Sequence, residues 1–117
     1  MSNTLLTRET AMPTPLGEKI HLLRKEKKMT LDQVGALTGS SKSYLWELER
    51  GRIPTPSADK LHRIAQALDV TASFLVDEER EQPDDDALDQ VYFRKYQSLS
   101  PDVRKKMREL IDVWSKA

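Results

Sequence analysis

Cysteine is absent from the 117 residues, which excludes disulfides, thiolate nucleophiles and every cysteine-ligated metal site. Histidine is almost absent. His21 and His62 are the only imidazoles and stand alone in the sequence, so a zinc site lacks its ligand set. No metal and no cofactor is expected. With four glycines and scattered β-branched residues there is little material for a sheet. No apolar run approaches the roughly 18 residues of a membrane span, and the first residues carry no apolar signal core. The chain is therefore expected to be soluble and cytoplasmic, with no membrane partner. No Ser/His/Asp grouping and no glycine-rich phosphate loop is present, so an enzyme is not expected.

Net charge is lacking as well, since 19 Lys and Arg balance 19 Asp and Glu. That zero is an average over unlike segments. Residues 1–76 hold eleven basic and eight acidic side chains. Residues 77–91 hold one against eight, and residues 92–117 hold seven against three. Acid is concentrated in one short stretch between two basic regions, so neutrality does not argue against a polyanionic partner.

What is present is a series of short amphipathic segments, enough for one domain of ordinary size or a minimal domain with an appendage. The residues to Pro15 are polar and aperiodic and read as a disordered arm, with Arg8 the one basic residue before it. A helix over residues 16–28 would bury Leu16, Ile20 and Leu23, with Leu22 at the margin of that face. Thr30 with Gln33 forms a T-x-x-Q capping box, opening a helix over residues 31–38 that would bury Val34 and Leu37. Gly39-Ser40 is a turn, Ser41 caps a helix over residues 42–50, and Gly51 stops it. Ser57 caps a fourth helix with Leu61, Ile64, Ala65 and Leu68 on one face. Thr71 caps a short fifth helix carrying Phe74 and Leu75. The architecture expected is all-α: a five-helix domain over residues 16–77, an acidic linker over 78–86, and a two-helix extension over 87–117. Within the extension, Leu88, Val91, Tyr92, Tyr96 and Leu99 share one face. After the N-cap and N1 pair Ser100-Pro101, Val103, Met107, Leu110, Ile111 and Trp114 form a second stripe.

Two helices of about eight residues joined by a glycine-containing turn describe a helix-turn-helix. The stretch TLDQVGALTGSSKSYLWELERG (Thr30–Gly51), followed by PSADKLHRIAQALDVTASFLV (Pro56–Val76), resembles the phage repressor/Cro-type DNA-binding domain. The capping box, turn glycine, S-x-S-Y-L core, E-R-G stop and A-x-x-L-x-V pattern follow in order. The resemblance covers about half the chain and excludes the acidic linker and the extension. It implies a third helix lying in the major groove of double-stranded DNA, with Lys42, Ser43 and Glu47 reading bases and Ser41, Tyr44, Arg50 and Arg52 contacting phosphates. Lys42 suits guanine O6/N7, and Glu47 suits the cytosine amino group. Trp46 lies outward beside them, placed for a thymine methyl or the sugar backbone, or else for packing on the arm or a partner chain. Three positions depart from the family pattern. Leu31 replaces a common phosphate-donating glutamine, Gly35 replaces the usual alanine, and Ser40 replaces an apolar turn residue. The cluster Arg24, Lys25, Lys27 and Lys28 reads as a solvated helix end, or as cations that offset the dipole and in part neutralise phosphate.

The extension carries more apolar surface than a lone helical hairpin can bury. Tyr92, Tyr96, Met107, Ile111 and Trp114 therefore call for a partner, either their own domain or a second chain. The function expected is repression by a homodimer on a palindromic operator. The competing expectation is an antitoxin or regulatory subunit whose hairpin binds another protein. FRKYQSLSPDVRKKMRELIDVW is similar to the tails of repressors controlled by metalloproteases, which implies relief of repression by capture or cleavage.

Overall fold

Local chemistry sets the helix boundaries. The computed structural model describes residues 14–116, and among them all regular structure is helical: α1 (Pro15–Glu26), α2 (Leu31–Thr38), α3 (Lys42–Glu49), α4 (Ala58–Ala67), α5 (Ala72–Val76), α6 (Asp85–Gln97) and α7 (Pro101–Ser115). The expectation for residues 1–13 lies outside the described residues. Each helix begins on a hydroxyl or carboxylate that accepts a backbone N–H three residues on: Thr14, Thr30, Ser41, Ser57, Thr71, Asp84 and Ser100. Thr30 and Gln33 complete the reciprocal capping box, at 3.1 and 2.8 Å.

Two boundaries differ from those expected. Thr14 Oγ1 accepts from Gly17 N at 3.0 Å and Pro15 occupies the first helical position, so α1 claims residues assigned to the arm. The acidic stretch is not all linker. Asp84 caps α6, while Asp85 and Asp86 fill its first turn, where negative charge favours the positive end of the helix dipole. One structural unit ends at Pro83 and a second begins at Asp84. None of the described helices is long and apolar enough to cross a membrane.

The helices stop as sharply as they start. Lys28, Gly39, Gly51 and Asp69 take left-handed backbone angles, φ 58–70°. In each case the next residue's N–H reaches back to the final turn: Met29 to Arg24 O, Ser40 to Gly35 O, Arg52 to Glu47 O and Val70 to Ala65 O, at 2.9–3.1 Å. This is the Schellman closure, which satisfies carbonyls the helix leaves open.

The core of the first unit gathers Ile20, Val34, Leu45, Leu48, Leu61, Ile64, Ala65, Leu68, Val70, Phe74 and Leu75. Leu22 and Leu37 do not join it; Leu37 is 63% exposed. The inward face of α2 runs Leu31, Val34, Gly35, Thr38, the i, i+3, i+4, i+7 row of one helical stripe, and Leu37 falls beside it. Thr38 is buried in its stead, its Oγ1 donating to Val34 O at 2.8 Å. Gly35 is there for space: a Cβ would stand 2.5 Å from Ser40 O. Ser40 Oγ in turn accepts from Lys60 Nζ at 2.7 Å, tying the turn to α4.

Arg24 is not part of a solvated end. It is buried, and its guanidinium holds the buried carboxylate of Glu49 from α3 by two hydrogen bonds, Nε at 2.6 Å and Nη2 at 3.0 Å. His21 Nδ1 lies 2.8 Å from the same carboxylate, and Arg24 Nη1 donates to Met29 O. Burial alone would raise the Glu49 carboxyl. The hydrogen bond and charge of Arg24, with His21, outweigh it and hold the group below its usual 4.5. Lys27 is also engaged, with Asp69 at 2.7 Å. On the other side of α1, Lys19 Nζ donates to Phe74 O at 2.8 Å and Asp77 O at 2.5 Å, closing the end of α5.

Two predictions follow from this packing. Arg24→Met should cost about 3–5 kcal/mol, because it strands a buried carboxylate, whereas adding Glu49→Leu should recover most of the loss. Because the folded state lowers the Glu49 pKa, the pair's stabilisation is present above the unfolded value and drains away as pH falls through the folded one. Denaturant midpoints at neutral and acid pH should therefore fall more for wild type than for the double variant. Gly35→Ala, despite a helix-propensity gain of about 1 kcal/mol, should lower the melting temperature, since the atom in its way is backbone.

Candidate nucleic-acid interface

Helix α3 has two sharply different sides. Leu45 and Leu48 point into the core and Glu49 into the ion pair with Arg24. Ser41, Lys42, Ser43 and Trp46 are exposed, with Glu47 half-buried at the edge. The predicted base-contacting residues Lys42, Ser43, Trp46 and Glu47 thus share one outward surface. Among the described residues no carboxylate pairs with Lys42.

The predicted phosphate-contacting residues flank this surface in two groups. Ser41 and Tyr44 stand at the start of α3, where Ser41 Oγ accepts from Tyr44 N at 3.0 Å. Tyr44 is half-buried against the core, and burial pushes its phenol up from the usual value. Lys60 Nζ lies 5.3 Å from the centre of its ring. Arg50 and Arg52 stand at the other end, around the Gly51 stop.

Trp46 joins the second group. Its ring has the Arg50 guanidinium carbon 3.8 Å and the Arg52 guanidinium carbon 5.1 Å from its centre, both within cation–π range. Arg52 Nη1 also lies 3.6 Å from Glu47 Oε1. The sequence placed these four residues on one surface but not in contact with one another. Trp46 and Arg50 are one helical turn apart, a spacing that does bring side chains together. Only the left-handed Gly51 brings Arg52 back as well. Lys60 of α4, which the sequence does not place here, reaches this edge through Ser40 Oγ and the Tyr44 ring. Leu31, a departure from the family pattern, packs against the core.

The second unit supplies a different kind of surface. Helix α7 has no buried residue, and Val103, Met107, Leu110, Ile111 and Trp114 are exposed, Trp114 at 74%. On α6, Val91 is buried while Leu88, Tyr92 and Phe93 are exposed. Phe93, outside the expected stripe, stacks on Tyr96 at 6.5 Å. Arg104 Nη1 donates to Gln97 O and Leu99 O at 3.2 and 3.0 Å, and Arg108 Nη1 donates to the Tyr96 hydroxyl at 2.5 Å. These bonds tie the first half of α7 to the end of α6.

Comparison with known proteins agrees with this geometry. The helix-turn-helix domain family matches residues 15–81. The HTH-type transcriptional regulator SinR of Bacillus subtilis (strain 168) is 33% identical over 106 residues, spanning 87% of this chain and 96% of SinR. A solved complex of the SinR and SinI proteins aligns with a TM-score of 0.53 at 32% identity, over 86% of this chain and 97% of the other. A crystal structure of SinR, described as the master regulator for biofilm formation, in complex with DNA aligns with a TM-score of 0.51 at 35% identity, over 53% of this chain and 98% of that one. Helix-turn-helix domain, capped helix order and near full-length similarity to a regulator converge: the chain belongs to the helix-turn-helix transcriptional regulators of the phage repressor/Cro type, and is not an enzyme.

Proposed function

We propose that this chain represses transcription by binding a palindromic DNA operator as a homodimer. The observation that carries the reading is the outward face of α3, where Lys42, Ser43, Trp46 and Glu47 stand clear of a helix fixed from behind by Glu49. The major groove admits one helix of this kind, and side chains near its N-terminus reach base edges. In this reading Lys42 donates to guanine O6/N7, Glu47 accepts from a cytosine amino group, and Ser43 completes the row. Ser41, Tyr44, Arg50 and Arg52 contact phosphates on either side. SinR, the relative solved with DNA, supports the choice of ligand. Resemblance to phage repressors supports the sign of regulation: a protein seated over a promoter blocks its use.

The apolar face of the hairpin supports the dimer. A single module buries only about 600–1,000 Å² on DNA, so a second copy held beside it raises affinity without new contacts. Tyr92, Tyr96, Met107, Ile111 and Trp114 would meet their counterparts across a two-fold axis. A second reading has one observation in its favour. The relative solved as a SinR–SinI complex aligns over 86% of this chain, more than residues 1–83 can supply, so the similarity extends into the hairpin. A different regulatory protein on that hairpin is the alternative occupant.

Selecting duplexes from a random pool, then titrating variants on the preferred site, tests the DNA reading. Lys42→Ala and Glu47→Ala should each lose about 1–3 kcal/mol on that site and relax preference at one or two base pairs. Unaltered base preference in both would place the reading helix elsewhere. For the dimer, cutting after Pro83 should leave a folded monomer with much weaker DNA affinity. Because Trp114 is exposed within the protomer, Trp114→Ala should leave the first unit's melting unchanged. It should weaken self-association by about 2 kcal/mol or more, as read by sedimentation. A truncated chain that still sediments as a dimer would remove the hairpin interface and favour the second reading.

A further inference from the structure

We propose that Trp46 is a positioning residue whose indole presents the Arg50 and Arg52 guanidiniums as a paired clamp for backbone phosphates at the edge of α3. The inference rests on the DNA reading above and assigns Trp46 a part in it. Trp46 is 37% exposed and is not among the side chains packed on the core, whose share of α3 is filled by Leu45, Leu48 and Tyr44. What it touches are two cations. Stacking uses the flat face of a guanidinium and leaves N–H donors at the rim, aimed along the plane where two phosphate oxygens are bound by two parallel bonds.

Two flexible arginines at the end of a helix would otherwise sample many rotamers, and each would lose that freedom on binding. Trp46 restricts both beforehand. Arg50 reaches the ring from one turn further along α3. Arg52 reaches it because Gly51 adopts φ 70° and the Arg52 N–H closes on Glu47 O at 3.0 Å, reversing the chain onto the helix end. Among the described residues no carboxylate pairs with Arg50. Arg52 has only Glu47, at 3.6 Å between partly exposed groups, a pair weak enough to be exchanged for phosphate. Release of that pair also frees Glu47 for a base. The clamp recognises phosphate, so it acts on every DNA sequence alike.

A double-mutant cycle on the full-length chain separates this role from a base contact. Two probes are used: a random-sequence duplex and the duplex selected from a random pool. Trp46→Ala should weaken both about five- to tenfold, the scale of two exposed cation–π contacts, with base preference and melting temperature unchanged. Trp46→Phe, which keeps a ring, should recover part of the loss. Arg50→Ala/Arg52→Ala should lower the salt slope by about 2 per protomer, at about 0.9 per phosphate. In that background Trp46→Ala should have no further effect. An equal loss from Trp46→Ala with or without the arginines, or an altered base preference, would overturn the clamp and make Trp46 a direct DNA contact. Wild-type affinity in Trp46→Ala would also overturn the clamp while leaving the DNA reading intact. Failure of the wild-type chain to bind any duplex would overturn both.

Discussion

The outward face of α3 is usable because its inward face is held by one buried ion pair. Arg24 engages both carboxylate oxygens of Glu49, and a two-point bond between planar groups fixes rotation as well as distance. Apolar packing by Leu45 and Leu48 would keep α3 against the core yet tolerate small rotations. Beside the pair, Gly17 brings the backbones of α1 and α3 together, since a Cβ there would stand 2.5 Å from Leu48 O. With α3 clamped at that point, every Cα–Cβ bond on its outer surface starts in a defined direction. This is the requirement for a site built on a rigid element.

The sequence announced most of the frame. Caps were legible because their chemistry is local: Thr30 with Gln33, Ser41, Ser57, Thr71 and Ser100-Pro101 each act within three residues. The apolar stripes of α4 and α7 were legible for the same reason, as one period repeated. Contacts between distant residues were not. Glu49 and Arg24 both lie on inward faces, Glu49 next to Leu48 and Arg24 four residues after Ile20. Two opposite charges in such positions were a signal that they pair, and composition alone hid it. Leu37 is apolar yet lies off the buried stripe, which continues through Thr38, so hydrophobicity without position does not give its place. Trp46 could be placed on the surface but not given a partner, because its contact with Arg52 depends on the turn at Gly51.

The two units divide the apolar residues in opposite ways. In the first, short helices close on Ile20, Leu45, Ile64 and Phe74 and leave few large apolar side chains outside. In the second, α7 buries nothing and shows its stripe to solvent. Val103, Met107, Leu110, Ile111 and Trp114 are all exposed along it. The polar bonds of α7, Arg104 to the end of α6 and Arg108 to Tyr96, do not involve its apolar stripe.

The left-handed stops at Lys28, Gly39, Gly51 and Asp69 bear on how fast the first unit forms. Each ends a helix with a bond between residues only five apart, so the chain turns back on itself at once instead of through a long loop. Contacts in such a fold are mostly close in sequence, and closing short loops loses little entropy. Domains of this kind fold on the microsecond-to-millisecond scale. A first unit so built is folded on that timescale, so folding adds little to the delay between synthesis and response.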